Sequence, residues 1–169
     1  MSLNLRELIR TPGARLPFRQ ELSGERLSFP ALVAYIEPPV GEGEISNSAD
    51  LLTLSGSIHA VMRCMCDRCA KEFDKVVDLP LDVRLAAELE DEEDPDYYLL
   101  QGDMLDIDDL LESCFILGMD VQILCREDCK GLCPRCGADL NEGACGCGKE
   151  SDPRLAVLEQ LLDDIDHTN

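Results

Sequence analysis

Tryptophan is absent from this 169-residue sequence, histidine occurs twice, and aromatic residues make up only 4% of it. A core with so few rings must rest on Leu, Val, Ile and Ala, which the 45% hydrophobic content supplies. Basic residues are scarce too: 15 Lys and Arg against 35 Asp and Glu give a formal net charge of −20. General attraction to nucleic-acid phosphate needs a basic surface, so this balance argues against a bare RNA binder and favours solubility and basic partners. A local exception is the N-terminal set Arg6, Arg10, Arg15, Arg19 and Arg26. No apolar run approaches the ~20 residues of a membrane-spanning helix. The opening MSLNLRELIRTPGARL is charged and broken by Pro12 and Gly13, unlike a signal peptide. A cytoplasmic protein with no membrane partner is therefore expected.

The length suits one compact domain with a small appendage. Mixed strand and helix patterns without a βαβ rhythm indicate an α+β class. The expected architecture is an antiparallel β-rich core domain over 1–124 with a few helices, a Cys-rich zinc-ribbon-like element over 125–150, and a C-terminal helix over 151–169 docking on the core or a partner. Near the N-terminus, LNLRELI suggests a strand or helical turn, followed by extended segments and loops among five prolines. LLTLSGSIHAVMRC suggests two strands joined at Ser55-Gly56, with Ile58, Ala60, Met62 and Cys64 alternating against His59, Val61 and Arg63. Val77, Leu79, Leu81, Val83 and Leu85 alternate as a further strand, and Pro80 within it points to an edge or a bulge. The acidic stretch 88–103 reads as a solvated loop. A helix follows with Ile107, Leu110, Leu111, Cys114 and Leu117 on one face, Asp106 as its N-cap and Gly118 as its stop. In the tail, Asp152 caps, Pro153 opens the helix, and Leu155, Leu158, Leu162 and Ile165 form a stripe.

Against these scarcities stand ten cysteines, six of them within CREDCKGLCPRCGADLNEGACGCG. Cytosolic thiols stay reduced, so close pairs read as metal ligands or catalytic thiols rather than disulfides. Four pairs emerge: Cys66 with Cys69, Cys125 with Cys129, Cys133 with Cys136, and Cys145 with Cys147. Cys64 and Cys114 are left to the core, where free cysteine behaves as a small hydrophobe. A C-x2-C turn aims two sulfurs at one zinc about 2.3 Å away. In CPRCG, proline fixes the bend and Gly137 supplies the positive φ needed after the second ligand. Cys133, Cys136, Cys145 and Cys147 then form a first site across a loop turning at Asn141-Glu142-Gly143. For a second site, Cys66 and Cys69 join Cys125 and Cys129. The alternative is that Cys125 or Cys129 serves the ribbon while Cys66 and Cys69 stay free. Tetrahedral sulfur also suits iron.

Four sulfurs leave zinc no open position, and His59 and His167 fall in neither cluster, so the metal is expected to be structural. CDRC has the spacing of a redox motif but lacks its thioredoxin-like setting. Each zinc tetrathiolate carries about −2, so two sites would carry the chain to about −24.

With these motifs in view, MCDRCAKEF, CREDCKGLCPRCGADLNEG and DPRLAVLEQL together resemble the bacterial and plastid YceD family, named for large ribosomal RNA accumulation. The C-x-R-C element falls at Cys66, Arg68 and Cys69, the CKGLCPxCGxxLN run at Cys129 to Asn141, and the tail motif at Asp152-Pro153-Arg154. The likeness covers most of the chain from about 50 onward, and the N-terminal third contributes little. It implies a non-enzymatic factor supporting 23S rRNA synthesis, processing or accumulation, hence large-subunit assembly. The implied partner is a large-subunit precursor or a basic ribosomal protein, which the acidity favours over direct RNA contact. Some relatives lack the C-terminal cysteine cluster. Two other readings remain open: RNA binding through the ribbon with Lys130, Arg135 and the N-terminal arginines, and a thiol redox or metal-sensing switch.

Overall fold

Alternation of small and branched apolar residues builds the sheet. The computed structural model describes residues 1–49, 51–86 and 97–147, and the chain divides into two compact units, Met1–Cys129 and Lys130–Asn169. In the first unit, β2 (Arg15–Glu21), β3 (Leu32–Ser48), β4 (Leu51–Met65), β5 (Glu72–Ala86) and β6 (Tyr97–Leu99) form a sheet in that order. All pairs are antiparallel except β5 with β6. A small second pairing joins β1 (Ser2–Asn4) to β7 (Met104–Asp106), and the helices are α1 (Arg6–Arg10) and α2 (Ile107–Gly118). The fold is α+β with a mostly antiparallel sheet, as the sequence pattern indicated.

Ile58, Ala60, Met62 and Cys64 are fully buried on the inner face of β4, while His59 and Arg63 face outward. One expectation fails here: β4 does not turn at Ser55-Gly56 but runs straight through it. Gly56 lies opposite Gly43 of β3, and a Cβ on either would come within 2.1 Å of a backbone oxygen on the neighbouring strand. The glycine serves close approach of two strands, not a reversal. The N-terminal third is also more ordered than loops would be. β3 is one long strand whose first half absorbs Pro38 and Pro39 through register shifts between Leu32 and Ala34, Tyr35 and Glu37, and Glu37 and Val40. Pro80 pairs opposite Ser57 without a register shift, and β6 reaches only Arg84–Ala86, so among the described residues β5 is an edge at Pro80.

Asp106 caps α2 by accepting from the Asp108 and Asp109 amides, and the helix ends at Gly118. Its buried residues are Ile107, Leu110, Leu111, Glu112 and Phe115, with Cys114 partly buried. Leu117, expected on that face, is 85% exposed. The buried stripe centres between Ile107 and Phe115, which leaves Leu117 at its margin in the last turn. Leu111 packs over the sheet at Gly41, where a Cβ would collide with it. Asn47, 2% exposed, donates from Nδ2 to the Leu8 and Ile9 carbonyls and so satisfies the open end of α1. Of the acidic stretch read as a loop, Tyr97–Leu99 is strand β6 and Leu100 is buried. Residues 87–96 and the tail helix expected at 151–169, with its Asp152 cap, Leu155 stripe and His167, lie outside the described residues.

Candidate metal centres

The same turn is built twice. Between β4 and β5, the Cys66 amide donates to the Lys71 carbonyl at 2.9 Å and the Ala70 amide returns to the Cys66 carbonyl at 2.9 Å. In the second unit, Cys133 donates to Ala138 at 2.8 Å and Gly137 to Cys133 at 2.9 Å. The residue after the second cysteine is left-handed in both, Ala70 at φ 55° and Gly137 at φ 72°. Gly137 takes the conformation expected of it. Ala70 takes it too, although a side chain makes that conformation costly.

The first turn receives its complement from the segment beyond α2. Asp67 donates its amide to the Ile123 carbonyl at 2.9 Å and accepts the Ile123 amide on Oδ2 at 2.6 Å. Arg68 Nη1 donates to the Cys129 carbonyl at 3.0 Å. These contacts set Cys125 and Cys129 beside Cys66 and Cys69, with Cys66, Cys69 and Cys129 buried. The Cys66 and Cys129 sulfurs lie 3.8 Å apart and those of Cys69 and Cys125 3.7 Å apart. A tetrahedron of sulfurs about 2.3 Å from a central zinc has edges of about 3.8 Å, whereas a disulfide needs about 2.05 Å. The four sulfurs therefore fit a metal ion and do not fit two disulfides.

In the second unit the Leu132–Asp139 bridge, the bond from the Leu140 amide to Gly131, and Asn141 Oδ1 accepting from Lys130 close the loop. Asp139 Oδ1 in turn accepts from the Asn141 amide at 2.8 Å. Cys133, Cys136, Cys145 and Cys147 then present sulfurs within 4.8 Å of one another, with Cys136 exposed. Among the described residues these two are the groups of ligand atoms that a metal ion would suit.

Each group contains one acidic thiol. Burial alone would raise Cys66, but the backbone amides of Cys125, Cys69 and Arg68 directed at its sulfur bring it down to about 6. The amides of Cys136 and Arg135 bring Cys133 to about 6 in the same way. Burial followed by the Cys69 sulfur pushes Cys125 up to about 12, and the Cys136 sulfur followed by burial does so for Cys147. Cys66 and Cys133 would thus offer a thiolate to a metal ion, and metal binding to cysteine sulfur releases protons. Cys64 and Cys114 join neither group; both pack in or against the core, where burial raises their pKa values. His59 also stands apart, its Nδ1 2.6 Å from Asp78 on the outer face of the sheet.

The spacing revealed the cysteines, and the C-x-R-C motif marked Arg68, but neither showed that Asp67 and Arg68 join the two halves of the first group. The signal for Asp67 was faint: a charged residue placed between paired ligands.

Fold and site together define an α+β protein, mostly antiparallel sheet, with two groups of four cysteines that could each hold a metal ion. Residues 54–162, more than half of the chain, match the family model described as large ribosomal RNA subunit accumulation protein YceD, and the chain belongs to that family. It is 37% identical over 46 residues to the large ribosomal RNA subunit accumulation protein YCED homolog 1, chloroplastic, of Arabidopsis thaliana. That alignment takes in 27% of this chain and 14% of the Arabidopsis protein, so the chain spans a small part of its relative. No solved structure matches the chain. Among the described residues no helix is long and apolar enough to cross a membrane.

Proposed function

We propose that the protein is a non-enzymatic cytoplasmic factor that supports 23S rRNA accumulation and large-subunit assembly through protein contacts, with both cysteine groups holding structural zinc. Family membership carries the first part of this reading. The net charge of −20 supports a basic protein partner, or a large-subunit precursor met through one, over direct contact with RNA. Sulfur separations of 3.8 and 3.7 Å in the first group, and four sulfurs within 4.8 Å of one another in each group, support the metal, and four thiolates would leave it no open position for catalysis. Its chemistry there is to tie chain segments together; the residues themselves present the acidic surface.

Affinity capture with the full chain over a salt series tests the partner. Large-subunit precursors or a basic ribosomal protein should be retained at low salt and lost as salt rises. Capture that is indifferent to salt, or recovers neither, overturns the reading. Metal analysis should find two zinc ions in the wild type and one in each of Cys66→Ser and Cys136→Ser. Iron in their place would replace zinc in the proposal.

A further inference from the structure

The cysteines of the first group lie far apart in the chain: Cys66 and Cys129 are separated by 63 positions and Cys69 and Cys125 by 56. Their metal would gather them only after a search through that loop, unless protein contacts had already brought the halves together. Two residues make such contacts. Asp67 holds Ile123 by two hydrogen bonds, one from its own amide and one to its carboxylate, and Ile123 is 4% exposed. Arg68 spans the other end of the arriving segment through the Cys129 carbonyl. Both sit between the ligands Cys66 and Cys69, so any displacement of the turn moves the contacts and sulfurs together. Arg68 also brings a permanent positive charge to a group that would carry about −2 once loaded.

We infer that Asp67 and Arg68 are positioning residues for the first metal centre: they latch residues 123–129 onto the Cys66–Cys69 turn and so decide how firmly that centre keeps its ion. The second group lies within fifteen residues, Cys133 to Cys147, so its ligands do not have to be gathered from a distant segment by Asp67 and Arg68. The inference deepens the structural-zinc reading and rests on it.

The test uses the full chain in the Cys136→Ser background, so that one centre is read. Zinc release to a competing chelator should become about 10–100-fold easier in Arg68→Ala and Asp67→Ala, as when partners of metal ligands are removed elsewhere. Arg68→Lys and Asp67→Asn, which keep the charge and the acceptor respectively, should recover most of the retention. Cobalt loaded in place of zinc should keep its tetrathiolate spectrum in the rescuing variants and lose it first in the alanine variants. The Ile123 amide should be protected from hydrogen exchange in the wild type and exchange faster in Asp67→Ala. Wild-type retention in both alanine variants overturns the inference, as does unchanged Ile123 protection. A wild type that binds neither metal defeats the zinc reading instead, and Ile123 protection, which needs no metal, then decides the latch alone. Should Asp67→Ala not fold, Arg68→Ala carries the test, because it leaves the backbone bonds of the turn in place.

Discussion

Ala70 and Gly137 occupy equivalent positions in two equivalent turns, yet only one is the residue that the conformation favours. Left-handed backbone costs a side-chain-bearing residue about 1–2 kcal/mol, and glycine's extra freedom in the unfolded chain returns about 0.5–1 kcal/mol of that. Ala70→Gly should therefore raise stability by about 0.5–1 kcal/mol, read as a higher urea midpoint of the zinc-loaded protein; a lower midpoint would contradict this. On the outer face of the sheet, the hydrogen bond to Asp78 raises the pKa of His59 above 6.5, and Glu37 and Glu42 act in the same direction. A raised folded-state pKa contributes stability that is present below about pH 6.5 and lost as pH rises through the folded value. His59→Gln should accordingly lower the unfolding midpoint at pH 5 and leave it unchanged at pH 9. A ring-proton titration of His59 centred at or below 6.5 would remove the basis for that expectation.

At the scale of elements, the facing glycines of β3 and β4, Gly43 and Gly56, leave less room for a Cβ than Gly41 of the same sheet. A methyl group at Gly56 would sit 2.1 Å from the Glu42 carbonyl oxygen, which belongs to the backbone and cannot rotate aside. Gly56→Ala should cost about 1–3 kcal/mol or more in denaturant unfolding; a neutral result would mean that the strands are further apart than described. This glycine also marks where local reading falls short. Leu52, Leu54, Ile58, Ala60, Met62 and Cys64 keep one parity across it, which was a legible sign of a single strand. A Ser-Gly pair suggests a turn until its partner is known, and that partner, Gly43, is fixed by sheet pairing alone. The ends of α2 were legible because caps are local chemistry, whereas the exposure of Leu117 depends on which elements cover the last turn. Likewise, spacing resolved the cysteines into close pairs. It left open whether Cys66 and Cys69 join Cys125 and Cys129, because only the fold brings such distant pairs together.

For the whole molecule, the hydrophobic core of the first unit and its buried cysteine cluster have no buried residue in common, and partly buried Phe73 packs against both. Removing metal with a strong chelator should therefore leave the far-ultraviolet signature of the sheet largely intact. It should speed modification of Cys66, Cys69, Cys125 and Cys129, while Cys64, fully buried in the sheet, reacts only on unfolding. Loss of the sheet signal together with the metal would instead make the centre a condition of folding. The long separation within the first group has a further consequence, in time rather than space. Ribosomes add about 5–20 residues per second, so Cys125 follows Cys69, 56 positions earlier, by about 3–11 s. By then every strand and helix described in the first unit has been synthesised. Were the first group to take a metal ion, its last ligands would arrive only after the strands of the sheet have been synthesised.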